Sequence, residues 1–232
     1  NDGKADKQTN FADDLHIPIG FEISHDGVYV SQGANLVLLR DTNGDDRYDE
    51  KEVVLSGFDD HDTHHAISAF CTDPSGAILM GEGIFLHSNV ETVFGPIRGT
   101  NGGFFRYAPQ SKSLTRHAQL KIPNPWGITV DSYGQEFFLF TSGPNFSWML
   151  PGTINPRYGA NLSATDLLTT NRVRPTSGLE IVSSRHFPDE VQGDILINNN
   201  IGFLGIKQHQ KIDHDPGFQT QYRQDLLFST DT

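Results

Sequence analysis

The sequence predicts an all-β fold that is rich in turns. Its 232 residues include 23 glycines, 12 prolines and 16 phenylalanines, and few segments show the apolar spacing of a long helix. One unit recurs four times along the chain: a small residue opens an apolar strand, a glycine-containing turn follows, and a second apolar strand comes next. Short strands repeated in this way are typical of all-β architectures.

The spacing of this unit predicts the architecture. Its four copies open at Gly20, Ala66, Gly127 and Gly178, which are 46, 61 and 51 residues apart. Four short strands in about 45 residues are the sequence mark of a β-propeller blade. Residues 1–232 are therefore predicted to form a single, incomplete β-propeller domain with about four blades. A β-sandwich with irregular loops is the alternative architecture.

The blades and their outer strands can be assigned from the order of strands and turns. A partial blade is expected first, then four blades, at 1–15, 16–58, 59–121, 122–174 and 175–232. Outer strands are expected at 35–40, 52–58, 103–107, 201–207 and 226–229. The second blade carries an insertion at about 82–101, and the third contains a long irregular stretch at about 141–169.

Propeller topology predicts which loops meet. If the strands of a blade are lettered A to D from the axis outward and alternate in direction, the D–A and B–C connections open on one face. The run from His61 to His65 lies on a D–A connection and places three of the ten histidines within five positions. Imidazole is suited to proton transfer near neutral pH and is also a common metal ligand. Loop or capping histidines are the alternative interpretation.

Further polar and aromatic side chains are predicted on the same face. The candidate cofactor- or substrate-binding residues are His61, Glu82, Asn124, Trp126, Asn145, Arg174 and Asn199. Convergent polar groups beside an aromatic wall are what a small-molecule site requires. As a set, these residues favour a binding site over ordinary loop solvation.

An acidic loop follows the third predicted strand. Oxygen-bearing side chains stand at positions 1, 3, 5, 9 and 12 of a possible Ca²⁺ loop, and they are Asp41, Asn43, Asp45, Asp49 and Glu52. The usual glycine at position 6 is replaced, and the flanking segments read as strands, so a calcium-clamped hairpin is expected rather than an EF-hand. A solvated acidic turn is the alternative. As a C–D connection, the loop is predicted to face away from the histidine run.

Composition limits the function classes. Seventeen basic residues against 29 acidic ones give a net charge of −12, which argues against a nucleic-acid partner. Cys71 is the only cysteine, so neither an intrachain disulfide nor a Cys-x-x-Cys-His haem site is possible in this sequence. No apolar run approaches the roughly 18 residues of a membrane span, and none is predicted.

Several motifs, taken in order, resemble one known family. They are the run His61–His65, the stretch Gly81–His87, Val90-Glu91-Thr92 with Gly95-Pro96-Ile97-Arg98, and Asn124-Pro125-Trp126-Gly127. Together they resemble the membrane-bound dehydrogenase domain of PVC-type haem-binding proteins, over nearly the whole chain. That family is similar to six-bladed propellers of glucose/sorbosone dehydrogenases, which use pyrroloquinoline quinone. Its full-length members often add a cytochrome c domain.

The resemblance implies a sugar or alcohol dehydrogenase. His65 lies nine residues before the turn Pro74-Ser75-Gly76 and would be the general base, with His64 or Asp62 orienting it. Trp126 would stack on a ring, and Arg174 would neutralise an anionic cofactor or substrate. Electrons would leave for a haem in a cytochrome c domain outside this chain. The implied location is periplasmic or otherwise extracytoplasmic, with membrane association left open.

Two other functions are kept open by the sequence. A gluconolactonase-like propeller hydrolase would hold Ca²⁺ at the same face and activate water, using Glu82, Asn145 and Asn199. A non-catalytic propeller would present the face to a carbohydrate or protein ligand. Dependence of turnover on an electron acceptor separates the dehydrogenase from the hydrolase.

Overall fold

The structure is a computed structural model that describes residues 4–142, 146–150, 166–168 and 175–230. Its regular secondary structure is almost entirely β-strand, arranged in small antiparallel sheets. Within these described residues, no helix has the length and hydrophobicity needed to cross a membrane.

The first blade is a four-stranded meander. Its strands are β1 (Phe21–Ser24), β2 (Gly27–Gln32), β3 (Asn35–Arg40) and β4 (Glu50–Ser56), paired in that order. The middle strands β2 and β3 are largely buried. In β1, exposed and half-buried residues alternate, and most residues of β4 are exposed to solvent. Because each strand reverses direction, β1 begins and β4 ends at the same end of the sheet.

The second blade has the same meander with a hairpin inserted in it. The blade consists of β5 (Ser68–Thr72), β6 (Ile78–Glu82), β9 (Gly103–Ala108) and β10 (Ser113–Gln119), while β7 (Asn89–Val90) and β8 (Ile97–Arg98) form the hairpin. A 3₁₀ helix, Thr63–His65, lies between β4 and β5. The insertion predicted at about 82–101 therefore carries secondary structure of its own.

The remaining described strands form two further sheets. The third sheet contains β11 (Pro125–Val130), β12 (Glu136–Phe140) and β13 (Ser147–Met149). The fourth contains β14 (Thr176–Ile181), β15 (Ile195–Ile201), β16 (Phe203–His214) and β17 (Gly217–Phe228), with a 3₁₀ helix at Asp189–Val191 before β15. The inner strands β1, β5, β11 and β14 contact one another in this order.

The core lies between successive sheets, as expected for blades arranged around an axis. Strands with apolar residues on both faces make this possible. In β9, Phe105 packs toward the first sheet and Phe104 toward the third, and in β12, Phe138 packs toward the second sheet and Phe137 toward the fourth. A fourth cluster joins the outer face of the first blade to Phe11, Ala12 and Leu15. The predicted all-β propeller is thereby confirmed.

Two predicted strand positions were wrong in detail. The irregular stretch 141–169 contains β13, which pairs with β12. In the last blade, the third strand runs to His214, and the fourth begins at Gly217, nine residues before the predicted start at 226. Both outer strands of that blade are 12 residues long, so the sequence pattern underestimated this hairpin.

Candidate functional site

The histidine run occupies the connection from β4 to β5, which is a D–A connection. We call the end of the sheets where β1, β5, β11 and β14 begin the mouth face. The acidic loop connects β3 to β4 and therefore lies at the opposite end of its sheet. The topology thus places the histidines and the acidic loop as the strand pattern predicts.

Asp62 holds two histidines of the run together. Its Oδ1 lies 2.9 Å from His64 Nδ1, and its Oδ2 lies 3.0 Å from His65 Nδ1. The two imidazole rings are 4.2 Å apart between centroids. His64 is mostly exposed, whereas the His65 side chain is only 5% exposed. The structure therefore brings Asp62, His64 and His65 into one cluster, with His65 at its buried side.

A second carboxylate, Asp59, orients the third histidine. Asp59 Oδ1 lies 3.0 Å from His61 Nδ1 and also accepts a hydrogen bond from the His61 backbone N–H, while Oδ2 accepts one from the His87 N–H. Burial alone would raise the pKa of the Asp59 carboxyl, but these hydrogen bonds outweigh it and hold the pKa below its usual value. An ionised Asp59 fixes the proton of His61 on Nδ1, because a carboxylate only accepts hydrogen bonds.

The insertion of the second blade forms a wall beside His65. The Phe85 ring centroid lies 5.6 Å from that of His65. Phe85 is 56% exposed and has a φ of +74°, a conformation that non-glycine residues rarely adopt. Its backbone N–H donates to Asn101 Oδ1, which holds this conformation. Backbone strain of this kind clusters at binding and active sites.

Gly83 allows the insertion to approach the histidine loop. A Cβ at Gly83 would lie 2.6 Å from Pro123 O and 2.9 Å from His65 Cβ. The Gly83 N–H donates to His65 O at 2.8 Å. Close contact between three loops of the mouth face therefore depends on the absence of a side chain here.

Replacing Gly83 with alanine should destabilise the protein by about 1–3 kcal/mol, because the new methyl group meets a backbone oxygen and must displace His65. The matched control is Gly217→Ala, where the added Cβ would touch the Trp148 ring at an ordinary 3.4 Å. Chemical denaturation measures both changes. Equal midpoints for the two variants would show that the loops are not closely packed.

Glu82 was expected to face a ligand, and the structure places it elsewhere. Its side chain is buried, and Oε1 lies 3.2 Å from Arg116 Nη1, close enough for an ion pair but not aligned for a hydrogen bond. Ser88 Oγ donates to the other oxygen. Burial raises the pKa of Glu82, although the Arg116 charge and the Ser88 hydrogen bond oppose this. Glu82 thus anchors the insertion to the blade from inside.

Arg116 completes this anchor. Its Nε donates to Gln119 Oε1 at 2.9 Å, and its Nη2 donates to Gly102 O at 2.7 Å. The guanidinium carbon also lies 4.4 Å from the centroid of the Phe105 ring, over its face. Arg116 lies on β10, 34 residues after Glu82, and no motif of the sequence points to it.

Of the remaining predicted binding residues, some lie within the described structure and others do not. Trp126 packs, half-buried, into the core between the third and fourth sheets, so its ring is not a free stacking surface. Asn124 lies before β11, where its carbonyl accepts a hydrogen bond from the Thr141 N–H. Asn145 and Arg174 lie outside the described residues.

Asn199 lies at the mouth end of the fourth sheet, opposite Thr176 on β14. Both side chains are buried, and neither Asn199 Oδ1 nor Thr176 Oγ1 has a hydrogen-bond partner among the residues that the structure describes. Gln32 Oε1, at the mouth end of the first sheet, is also buried without a partner. Buried polar atoms of this kind are candidates for hydrogen bonds to a polar ligand.

The acidic loop does not gather its ligands in this structure. Asp41 accepts hydrogen bonds from the N–H groups of Gly44, Asp45 and Asp46, and Asp49 accepts two from Thr42. Glu52 pairs with Arg40 at 2.8 Å. Asp41, Asp45, Asp49 and Glu52 form no group of three close ligand atoms in the described part of the chain. Calcium binding here stays a prediction.

Two residues of the site were missed by sequence reasoning. Asp59 stands two positions before the histidine run and could have been found by its spacing to His61. Phe85 lies 20 residues after His65, inside the stretch Gly81–His87 that carries the family resemblance, but no role in the site was predicted for it. Only the folded insertion brings it to the histidines.

The fold and the histidine loop between β4 and β5 together define a β-propeller protein with paired carboxylates and imidazoles at its mouth face. Among solved structures, it is similar to a protein assigned as a gluconolactonase, with 15% identity, a TM-score of 0.51, and coverage of 88% of this chain and 61% of that one. It is also similar to a luciferin-regenerating enzyme, with 13% identity, a TM-score of 0.50, and coverage of 82% and 57%. The chain thus spans about three fifths of the length of these propellers.

The chain belongs to the family described as "Domain of unknown function (DUF7133)", which it matches over residues 1–232. An oxidoreductase from Thermus thermophilus, assigned as a glucose dehydrogenase, aligns with 11% identity and a TM-score of 0.45, covering 93% of this chain and 86% of that one. No curated protein sequence matches the chain.

Proposed function

We propose that this chain is the propeller part of a sugar-related enzyme in which His61 removes a proton from a hydroxyl group. The observation that carries the proposal is the Asp59–His61 pair. In the neutral imidazole, the hydrogen bond of 3.0 Å to Asp59 puts the ring proton on Nδ1, so Nε2 of this 64%-exposed side chain is the atom that can accept a proton. This is the arrangement of a general base oriented by a carboxylate. The sequence prediction gave this role to His65, whose side chain is almost fully buried.

Other groups of the mouth face suit a polar ligand that carries ring carbons. Phe85 offers an exposed aromatic face on the same side of the blade. Unpartnered polar atoms at the mouth ends of the first and fourth sheets offer hydrogen bonds. Sugars combine hydroxyl groups with an apolar ring face, so they are the first substrates to test. The gluconolactonase assignment of one propeller of this fold points to the same class.

The favoured reaction is oxidation of a sugar or alcohol, in line with the family resemblance. A quinone cofactor, when bound, would accept the hydride, and a cytochrome c domain would take the electrons onward. Pyrroloquinoline quinone carries carboxylates and needs cations. Among the described cations of the mouth face, Arg116 is already engaged with Glu82, Arg98 donates to Asn89, and Lys121 lies exposed before β11, while the histidine loop adds the carboxylates Asp59, Asp60 and Asp62. The carboxylates of the histidine loop do not fit an anionic cofactor, so no step of the proposed reaction uses pyrroloquinoline quinone.

Hydrolysis of a sugar lactone is the second candidate. The Asp62–His64–His65 cluster favours it, because a carboxylate and two imidazoles at 2.9 and 3.0 Å can hold or activate a water molecule. His61 would then take the proton from the water instead of from the substrate. An extracytoplasmic location is proposed for either reaction and rests on the family resemblance.

An activity panel on the full chain tests the proposal. One arm offers sugars and alcohols with an artificial dye as electron acceptor, with and without added quinone. The other offers sugar lactones without an acceptor and follows acid release. Each arm compares the wild type with His61→Gln and with His186→Gln, an exposed histidine away from the mouth face. Turnover that His61→Gln abolishes and His186→Gln keeps supports the proposal, and the active arm identifies the reaction. Turnover that is indifferent to His61 overturns it.

A further inference from the structure

The 3₁₀ helix Thr63–His65 starts in an unusual way. Asp62 occupies its N-cap, yet the Asp62 side chain makes no capping hydrogen bond. An aspartate at this position ordinarily accepts a hydrogen bond from a backbone N–H in the first turn. Here the carboxylate turns toward His64 and His65 instead, with one oxygen near each Nδ1. The Asp62 carboxylate thus contacts two imidazole nitrogens instead of the backbone N–H that it would ordinarily bind.

His65 Nδ1 is buried without a hydrogen-bond partner. It lies 3.0 Å from Asp62 Oδ2, but the contact lacks hydrogen-bond geometry. Leaving a buried polar atom unsatisfied destabilises the folded state. An ion is one of the recognised explanations for such an atom in a native structure. The atom lies beside the Asp62 carboxylate, so an ion bound by both groups would satisfy it.

The separations within the cluster suit a bound metal. Nitrogen and oxygen ligands lie about 2.0–2.1 Å from an ion such as Zn²⁺. Two such ligands are about 2.9 Å from each other when the angle at the ion is a right angle, and about 3.3 Å from each other when the angle is tetrahedral. The two nitrogen–oxygen separations, 2.9 Å to Asp62 Oδ1 and 3.0 Å to Asp62 Oδ2, agree with the right-angled arrangement for a carboxylate that binds the ion through both oxygens. One ligand atom from each of Asp62, His64 and His65 lies within 4.8 Å of the others. Among the residues that the structure describes, this is the group of His, Cys, Asp and Glu side chains close enough together to hold a metal ion.

We propose that Asp62, His64 and His65 bind a divalent first-row transition-metal ion. Two imidazole nitrogens and one carboxylate suit borderline ions such as Zn²⁺, and three protein residues leave positions open for water or substrate. His64 is 65% exposed, so the ion can be reached from solvent. The Gly83 N–H holds the His65 backbone, which fixes the buried ligand. This site is separate from the proposed base, His61.

Metal binding can be measured without any knowledge of the substrate. The full chain is treated with a chelator, then titrated with Zn²⁺ by calorimetry and with Co²⁺ by visible absorption. We expect one equivalent to bind. Asp62→Asn and His64→Gln each remove a ligand at a partly or largely exposed side chain, so the fold should survive. Each should weaken affinity by more than the roughly 10–100-fold that loss of an outer-shell partner costs.

Two control variants make the result decisive. His186→Gln removes an exposed histidine elsewhere and should keep the wild-type affinity, which excludes general histidine binding. His61→Gln removes the proposed base and should also keep it, so loss of turnover with intact metal binding separates the two proposals. If the wild type binds neither ion, or if His64→Gln binds as tightly as the wild type, the metal site is wrong.

Discussion

Replacing Arg116 with methionine is expected to lower the free energy of unfolding by about 3–5 kcal/mol. The guanidinium and Glu82 are both buried, with side chains 8% and 1% exposed. Removing the arginine leaves an uncompensated carboxylate in the interior and removes the hydrogen bonds that Arg116 donates to Gly102 O and Gln119 Oε1. Methionine keeps an apolar side chain against Phe105, so most of the loss is electrostatic. Denaturant unfolding followed by fluorescence measures it.

The pH dependence of this loss has a definite sign. Burial already raises the pKa of Glu82 in the folded protein, and the Arg116 charge opposes that rise. Without Arg116, the folded-state pKa of Glu82 should rise further. A carboxyl whose pKa is raised on folding contributes most favourably at low pH, and that contribution disappears as pH rises through the folded-state pKa. Arg116→Met should therefore be destabilised less at pH 5 than at pH 8.

Two further variants show whether the pair itself is responsible. Combining Glu82→Gln with Arg116→Met removes both charges, and the double variant should lose less stability than the sum of the single ones. Arg40→Met makes the same change at an exposed ion pair with Glu50 and Glu52 and should cost about 1 kcal/mol or less. Additive losses, or equal losses at Arg40 and Arg116, would show that the buried pair is not an anchor.

The inner part of each blade could be predicted because its strands bury apolar side chains. In β12, Phe137, Phe138, Leu139 and Phe140 are all buried, and this continuous apolar run identifies a strand packed on both faces. The same holds for Ile78 to Met80 in β6. Glycine turns mark the ends of these strands, so the repeat, the blade order and the mouth face followed from the sequence.

The outer hairpin of the last blade could not be predicted from apolar spacing. β16 and β17 carry many polar residues, and these are satisfied across the strands and not by burial against apolar neighbours. Lys207 pairs with Asp225 at 2.7 Å, and Gln224 donates to Gln208 at 2.8 Å. A polar run of this kind reads as a loop, because the pattern that identifies a strand is hydrophobic alternation. The pairing itself depends on contacts between residues about 16–18 positions apart.

The candidate site was predicted in part. The histidine run and its position at the mouth face followed from local sequence and topology. The separate roles of the three histidines could not be predicted from the sequence, because they depend on which carboxylate contacts which imidazole. Asp59 meets His61, and Asp62 meets His64 and His65. The burial of Glu82 was equally unpredictable, since its partner Arg116 comes from the other end of the blade.

Replacing His61 with glutamine is expected to lower kcat by about 10²–10⁴-fold, the usual contribution of a general base. Glutamine can still hydrogen-bond to Asp59 but cannot accept a proton at neutral pH. KM should change little, because the substitution removes proton transfer and leaves the Phe85 wall in place. The measurement is steady-state kinetics on whichever substrate the activity panel identifies.

Asp59→Asn provides the companion test, since it keeps the shape of the side chain and removes the charge that fixes the His61 proton on Nδ1. It should lower kcat by about 10–10³-fold, less than His61→Gln because the imidazole remains. If His61 acts through Asp59, the double variant should be no slower than His61→Gln alone, since the two residues work as a unit. A double variant slowed by the product of the two single effects would show instead that Asp59 and His61 act independently, and the proposed dyad would have to be abandoned.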